Sequence, residues 1–411
     1  MSTVMLKEES KRLVKATVPI LAEHGETITK HFYKRMFHHH PELLNIFNRT
    51  NQKIGRQPQA LANSIYAAAQ HIDNLEAILP VVKRIAHKHR SLNIKPEQYP
   101  IVGENLLAAM KEVLGEAASD DVIEAWREAY EIIAGVFIEV EKQMYDEASK
   151  APGGWSGFRS FVVEKKQQES KTITSFYLKS KDGNEIVSYQ PGQYMTVKVN
   201  IPGDTYTHMR QYSLSDAPGK GYYRISVKRE EGNAECPPGV VSSYLHEHIG
   251  EGDVLEMTAP AGDFILKQGE DRPIVLISGG VGITPLMSMF NTLMQQGTKQ
   301  EVTFIHAAID GTYHAMHEHV AQTASQKENV HYAVCYERPT SEDQMNPYMK
   351  KQGYIDEQFL RSIIKDHHAD FYFCGPIPFM KTVYHVLKNW GVPEEQVHYE
   401  FFGPAGTLAS S

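Results

Sequence analysis

Cysteine is scarce in this 411-residue chain, and its three cysteines, Cys236, Cys335 and Cys374, are far apart in the sequence. This spacing excludes a disulfide scaffold and an iron–sulfur cluster, because both need several cysteines at short intervals. It also fits a reducing compartment, where thiols remain unpaired. We therefore expect a cytoplasmic protein that is stabilised by its hydrophobic core.

Positive charge is also in short supply, since the formal net charge is −8. This excludes a general nucleic-acid binder, which needs a broad positive field. The N-terminal MSTVMLKEESKR has no apolar signal core, which predicts no secretion signal. The stretch from Pro273 to Thr298 carries no charge, but its glycines and internal proline indicate a buried strand, turn and helix rather than a membrane span. We expect a monomer without nucleic-acid or membrane partners.

The chain is too long for a single hydrophobic core. The pattern of apolar residues changes along it and indicates three domains. Residues 1–148 repeat apolar side chains at spacings of three and four, which predicts helices. A breaker cluster, APGGW, marks a linker at 149–157. Residues 158–268 show short alternating runs between glycine and proline turns, as in an antiparallel barrel. Residues 269–411 alternate buried strands with helices, which predicts an α/β domain with a parallel sheet.

One histidine of the helical part lies on an apolar face. At about 100° per residue, His89 lies roughly 40° from Ile85, on the apolar stripe of its helix. His87 lies roughly 200° from Ile85 and is expected to face water. A histidine on an apolar face is more often a packed core residue than a metal ligand, so helical position alone leaves both interpretations open.

The helical part resembles the globin of the flavohaemoglobin family. The resemblance is carried by five segments: HFY at 31–33, PELLNIFN at 41–48, IAHKH at 85–89, IKPEQY at 94–99 and AWREAY at 125–130. It implies a haem b whose iron is bound by His89 and whose porphyrin packs on Phe47. It also implies an oxygen pocket in which Tyr33 is the distal hydroxyl, with Gln57 and Leu61 beside it.

Two parts of this pocket have alternative interpretations. Pro58 directly follows Gln57, and because proline suits the first turn of a helix, Gln57 could cap that helix instead. Glu141 lies on an apolar stripe, where a carboxylate is costly unless it is partnered or reaches solvent at the edge. The resemblance implies that Glu141 and Tyr99 orient the proximal histidine, whose second ring nitrogen needs an acceptor. It also implies that Lys88 faces the flavin side, near Glu400.

The chain from about residue 155 onward resembles the ferredoxin-reductase family, most specifically in RQYSLS at 210–215. The resemblance implies that Tyr212 packs on the isoalloxazine of FAD, Ser213 lies near its N5 and Arg210 binds the pyrophosphate. A planar ring, a hydroxyl and a guanidinium fork suit these tasks. PGQY at 191–194, which alone reads as a turn entering a strand, adds Tyr194. The remaining expected FAD contacts are Gln211, Gly239 and Ser242, of which the last two start a helix whose amides can hold phosphate.

A glycine-rich turn follows the strand PIVLIS and is expected to hold a nicotinamide dinucleotide at the start of a helix. Its expected contacts are Gly279, Gly280, Val281, Gly282, Ile283 and Thr284. It departs from the Rossmann fingerprint because Pro285 replaces the third glycine. No Arg or Lys occurs between Thr303 and Lys327, so we expect NADH rather than NADPH.

Two late motifs complete the resemblance. The first implies a nicotinamide site and consists of Cys374, Gly375 and Pro376. The second is expected beside the flavin and consists of Glu400, Phe401, Phe402, Gly403 and Pro404. Taken alone, Cys374 would be interpreted as one more buried thiol.

Together the resemblances imply an NAD(P)H-dependent nitric oxide dioxygenase that detoxifies nitric oxide. Hydride would pass from the nicotinamide to FAD and electrons from FAD to haem, so that nitric oxide and oxygen become nitrate. Two other functions fit the same motifs. One is a haem protein that stores or senses oxygen beside an idle reductase, and the other is a diaphorase-type reductase with the globin as a scaffold.

Overall fold

The computed structural model describes residues 6–48, 52, 55–232, 237–267, 269 and 271–403. The N-terminal part is helical, with α1 (Glu8–Ala16), α2 (Val18–His39), α3 (Arg56–Gln70), α4 (Leu79–Ser91), α5 (Gln98–Leu114) and α6 (Asp120–Lys150). Prolines lie in the first turns of several of these helices, where the missing N–H costs no hydrogen bond. The apolar stripes of the helices meet in one core that contains Phe32, Met36 and Trp126.

Helix α6 is the long helix that ends this part. Ser119 caps its start by accepting a hydrogen bond from the Val122 N–H, and the helix continues to Lys150, past the predicted domain end at 148. Gly153, with a φ of 70°, follows in the connection to the next domain. Its left-handed backbone allows the sharp change of direction that the breaker cluster predicts.

The second part is an antiparallel sheet that curls into a barrel. Its strands are β1 (Arg159–Gln168), β2 (Ile173–Ser180), β3 (Tyr194–Val199), β4 (His208–Ser213), β5 (Tyr223–Lys228) and β6 (Val254–Met257). They follow the order β4-β3-β6-β1-β2-β5. A bridge between Leu214 and Ile225 joins the two outer strands and closes the barrel. Helix α7 (Val240–His248) precedes β6, and alternate side chains such as Phe161, Phe176 and Val197 fill the interior.

The third part is a parallel sheet with helices on both faces. Its strands are β7 (Ile274–Gly279), β8 (Val302–Ala308), β9 (Val330–Tyr336), β10 (Met349–Gln352), β11 (Asp370–Cys374) and β12 (Val397–Glu400). Its helices are α8 (Ile283–Gln295), α9 (His317–Gln326), α10 (Glu357–Ile363) and α11 (Ile377–Asn389). Because successive side chains of a strand point to opposite faces of the sheet, each face has its own hydrophobic core. Leu276 packs toward α8 and α9 on one face, whereas Val275 and Ile277 pack toward α10 and α11 on the other.

The strand order of this sheet locates a ligand crevice. The order is β10-β9-β8-β7-β11-β12. From β7 the chain adds β8, β9 and β10 on one side of the sheet, and it then returns to add β11 and β12 on the other side of β7. Ligands of open α/β sheets bind at such a switch point, outside the carboxyl ends of the strands. Here those ends are Gly279 and Cys374, which belong to the two predicted dinucleotide motifs. Among the helices of the described residues, none is long and apolar enough to cross a membrane.

Candidate functional site

His89 lies in the last turn of α4 and makes a partly buried contact with two other predicted residues. Its Nδ1 lies 2.7 Å from Glu141 Oε1 and 3.0 Å from the Tyr99 hydroxyl. The Tyr99 hydroxyl also donates to Glu141 Oε1 at 2.5 Å. Glu141 is only 3% exposed, and burial together with its hydrogen bond raises the pKa of Tyr99. The carboxylate therefore has the partner that its burial demands.

This arrangement fits a haem ligand. Because Nδ1 is directed at Glu141 and Tyr99, Nε2 is the ring nitrogen that remains for a metal. In the part of the chain that the structure describes, no three His, Cys, Asp or Glu side chains converge to hold a bare ion. A single imidazole with an oriented ring is the ligand set of a haem, whose macrocycle supplies the other donors.

Tyr33 lies on α2 among aromatic side chains of the helical core. It is 7% exposed, and its ring centroid lies 5.7 Å from that of Phe47. Burial raises the pKa of its hydroxyl, which forms a side-chain hydrogen bond with Gln57. Gln57 lies in the first turn of α3, as its neighbour Pro58 predicts, but its side chain contacts Tyr33 rather than capping the helix. Leu61, one turn further along, packs half-buried against the same core.

The expectation that His87 faces water is wrong. The side chain is half-buried, and its Nδ1 accepts a 3.4 Å hydrogen bond from the Gly262 N–H of the barrel. Burial accordingly lowers the pKa of His87. His87 does lie on the face of α4 that is turned away from the helical core, but the barrel covers that face instead of solvent.

Lys88 of α4 and Glu400 of β12 lie near enough for the charge of each to shift the pKa of the other. Glu400 is the last residue of β12, and its Oε2 is buried without a hydrogen-bond partner among the described residues. Burial and the nearby Asp263 raise the pKa of Glu400 to about 8, and Lys88 opposes that increase. Burial lowers the pKa of Lys88, which Glu400 in turn raises. No hydrogen bond or ion pair joins the two side chains among the described residues, so the implied role of the pair beside the flavin stays a prediction.

The predicted flavin residues lie on two paired strands. In the antiparallel register of β3 and β4, Tyr194 lies opposite Ser213, and Val197 lies opposite Arg210. Strand alternation places Arg210 and Tyr212 on one face and Ser213 with Tyr194 on the other. Burial raises the pKa of both tyrosines. The strand pair thus brings two rings, a hydroxyl and a guanidinium to one edge of the barrel.

Tyr194 is held in place by a neighbouring loop. Its backbone pairs with Ala261, with N···O distances of 2.9 and 2.8 Å. The next residue, Gly262, has a φ of 115°, and a Cβ there would lie 2.9 Å from Tyr194 Cε1. Only glycine allows the loop to approach the ring so closely.

Three other predicted FAD contacts have protein partners. The Gln211 side chain donates a 2.7 Å hydrogen bond to Ser91 Oγ of α4, so it contacts the helical domain. Ser242 Oγ accepts from the Glu230 N–H at 3.2 Å and donates to the Gly239 carbonyl at 3.1 Å. Gly239 immediately precedes α7, and a Cβ on it would lie 2.5 Å from Ser242 Oγ. The helix start has therefore formed as predicted, but the Ser242 hydroxyl is directed at the backbone.

The glycine-rich turn lies directly against the second dinucleotide motif. Gly280, with a φ of 53°, begins a short 3-10 turn that leads into α8. A Cβ on Gly282 would lie 2.1 Å from the Cys374 carbonyl oxygen, so this close approach requires glycine. Thr284 Oγ1 donates to the Val281 carbonyl at 3.1 Å within the first turn of α8. The turn leaves the helix start beside the carboxyl end of β11.

Cys374 is fully buried at the end of β11, and burial raises the pKa of its thiol. Gly375 and Pro376 follow and start α11. In the last predicted motif, Phe401 packs half-buried against the third domain, whereas Phe402 is exposed. Gly403 has a φ of 145°, and Pro404 lies outside the described residues.

A cavity that sequence analysis missed lies between the barrel and the parallel sheet. It has a volume of about 1050 Å³, and its lining includes Asp216, Lys220, Arg224, His314, Tyr336 and Tyr348. Asp216 pairs with Lys220 at 2.7 Å and with Arg224 at 3.9 Å. Burial alone would raise the pKa of Asp216, but these cations and the Asn291 amide lower it to about 2. No sequence signal marks the cavity, because its lining comes from separate segments of two domains.

Three family models match consecutive parts of the chain. The Globin model matches residues 30–137, the model for the oxidoreductase FAD-binding domain matches 160–265, and that for the oxidoreductase NAD-binding domain matches 276–385. A protein named Flavohemoprotein from Halalkalibacterium halodurans is 79% identical over 411 residues, which is 100% of both chains. A protein of the same name from Bacillus subtilis is 50% identical over 407 residues, covering 99% of this chain and 100% of its own.

Two solved structures are similar to this one. The flavohemoglobin from Malassezia yamatoensis, solved with bound FAD and heme, aligns with a TM-score of 0.83 at 26% identity, over 97% of this chain and 100% of that chain. The FAD/NAD-binding domain of a nitric oxide dioxygenase from Vibrio cholerae aligns with a TM-score of 0.54 at 40% identity, over 60% of this chain and 99% of that chain. The predicted order of a helical domain, an antiparallel barrel and a parallel-sheet domain is therefore confirmed.

Proposed function

This chain belongs to the flavohaemoglobin family, and from that premise we propose that it oxidises nitric oxide to nitrate with oxygen and with electrons from a nicotinamide dinucleotide. The observation that carries the proposal is the set of hydrogen bonds between His89, Glu141 and Tyr99. A carboxylate on the second ring nitrogen makes an imidazole a stronger donor to a metal. A strong proximal donor favours oxygen activation over reversible oxygen storage.

We assign the haem to the helical domain, where His89 would bind the iron and Tyr33 would supply the distal hydroxyl. When bound, haem supplies redox-active iron, and FAD converts the two-electron hydride of the dinucleotide into single electrons. Glu141 accepts the His89 N–H and fixes the orientation of the ring. The buried Tyr33 hydroxyl, hydrogen-bonded to Gln57, is a donor for a charged ligand in the pocket. Phe47 contributes an apolar wall beside Tyr33.

We assign FAD to the edge formed by β3 and β4, and the dinucleotide to the crevice between Gly279 and Cys374. Arg210 supplies a guanidinium for phosphate, and the amides that start α8 supply donors for the second pyrophosphate. We infer a preference for NADH over NADPH from the cavity around Asp216, whose lining includes Tyr336 at the carboxyl end of β9. Its cations Lys220 and Arg224 already pair with Asp216, and its lining also includes Glu342 and Asp343, which would repel a 2′-phosphate.

Nitric oxide consumption by the holoprotein tests this function. With NADH in air, nitric oxide should disappear catalytically, and removal of either NADH or oxygen should stop its loss. An oxygen-storing haem protein would bind oxygen reversibly without steady use of NADH. A diaphorase-type reductase would oxidise NADH with soluble acceptors and leave nitric oxide unchanged. Either of these outcomes would contradict the proposal.

A further inference from the structure

The last turn of α4 contacts the reductase on both sides of His89. His87 accepts from the Gly262 N–H at 3.4 Å, and Ser91 Oγ accepts from the Gln211 amide at 2.7 Å. Lys88 lies near enough to Glu400 for its charge to shift the pKa of that carboxyl. Residues on both sides of His89 in this last turn therefore contact the barrel.

Arg90 makes the most deeply buried of these contacts. It is 7% exposed, and its guanidinium donates to two successive carbonyl oxygens of the barrel, Ala259 O at 3.5 Å and Pro260 O at a shorter distance. Among the described residues it forms no salt bridge. A planar guanidinium can reach two carbonyls at once with separate N–H groups, whereas a lysine ammonium is a single point donor.

The loop that Arg90 contacts also positions a proposed flavin residue. Ala261, next to Pro260, pairs with the backbone of Tyr194. The Gln193 side chain donates to the Gly262 carbonyl at 3.3 Å. Arg90 and Tyr194 therefore both contact one short loop, residues 259–262, so that the position of α4 is coupled to that of the flavin edge.

Stability alone does not account for this arginine. Burying a charge without a carboxylate partner is costly, and an apolar side chain would fill the same space without that cost. A guanidinium on two carbonyls does, however, fix direction and distance in a way that apolar packing does not. We propose that Arg90 is a positioning residue that docks the His89 helix on the flavin barrel and thereby sets the path for electrons from FAD to haem. This inference rests on the proposed function.

Anaerobic stopped-flow measurements on the full-length holoprotein, without nitric oxide, test the proposal. After mixing with NADH, flavin reduction should proceed at the wild-type rate in Arg90→Ala, whereas haem reduction should be at least about tenfold slower. Tenfold corresponds to the loss of one hydrogen bond from a charged donor. Arg90→Lys keeps the charge but loses the two-carbonyl geometry, so its haem reduction rate should lie between those of wild type and Arg90→Ala. Amide hydrogen exchange of residues 259–262 should increase in the same order.

Arg84→Ala is the matched control. Arg84 lies on the same helix and pairs with Asp263 at 3.6 Å, but its side chain is 64% exposed, so its loss should change haem reduction less than about twofold. Wild-type haem reduction and wild-type loop exchange in Arg90→Ala would overturn the proposal. So would equal slowing of flavin and haem reduction, which would make Arg90 a folding residue of the barrel. If the wild-type protein itself passes no electrons to haem, the proposed function fails instead.

Discussion

Replacing Glu141 with glutamine should raise the reduction potential of the haem. The substitution keeps the shape of the side chain and one acceptor oxygen, but removes the negative charge that lies 2.7 Å from His89 Nδ1. A carboxylate on the proximal ligand stabilises the more positive ferric state. Removing that charge stabilises the ferrous state relative to the ferric state, compared with wild type, so the reduction potential rises.

The magnitude follows from the hydrogen bonds at Glu141. A hydrogen bond to a charged partner contributes about 1.5–3 kcal/mol, and one between neutral groups about 0.5–1.5 kcal/mol. The difference, about 1–1.5 kcal/mol, favours the ferrous state by about tenfold, which for one electron is a shift of about 60 mV. Spectroelectrochemical titration of the full-length holoprotein measures it directly.

Tyr99→Phe is the control for this experiment. It removes a neutral hydroxyl that also contacts Glu141 and His89, at 2.5 and 3.0 Å, but leaves the carboxylate in place. Its shift should therefore be clearly smaller than that of Glu141→Gln. An unchanged or lowered potential in Glu141→Gln, with normal haem content, would refute the idea that the carboxylate tunes the proximal ligand.

Three further predictions concern single residues. His89→Ala should abolish stable haem incorporation, whereas His87→Ala should keep a normal Soret band; absorption spectra of the purified variants check this, and the reverse result would overturn the ligand assignment. Tyr33→Phe should release oxygen about tenfold faster in stopped-flow mixing, because it loses a hydrogen bond to a charged partner, while NADH-driven reduction of an artificial acceptor stays normal; equal release rates would make Tyr33 a packing residue. Glu400 has a folded-state pKa of about 8, above its usual 4.5, so between these values the folded protein binds a proton that the unfolded protein releases. The free energy of unfolding that this proton contributes is lost as the pH rises from about 5 to 8. Denaturant titrations should show that the Glu400→Gln protein loses less stability over this pH range than wild type, and parallel pH profiles would contradict the assignment.

The sequence predicts the order of the three domains because each has its own hydrophobic period. These periods are local properties of the chain: apolar spacing of three and four in the helical domain, strict alternation in the barrel and fully apolar runs in the buried strands of the α/β domain. The structure has the predicted element type in each of the three domains. Helical position places both His89 and Glu141 on apolar stripes, but it was the family resemblance that implied their contact. A buried carboxylate on such a stripe needs a hydrogen-bond or ionic partner, so Glu141 is expected to contact a polar side chain of another helix.

What the sequence does not predict lies between domains. Helical position places His87 away from its own core, but does not reveal that the barrel covers it. In the same way, Gln211 stands in a flavin motif, yet its side chain reaches Ser91. The cavity around Asp216 is assembled from segments far apart in the chain. Long-range packing of this kind leaves no periodic signal.

The ratio of nitrate formed to NADH consumed tests the central claim most directly. Purified holoprotein would be given limiting NADH, excess nitric oxide and air, with both quantities measured in the same sample. One hydride carries two electrons that FAD releases singly, so the account predicts about two nitrate ions for each NADH. NADH oxidation without nitrate, or nitric oxide loss that is independent of NADH, would contradict it.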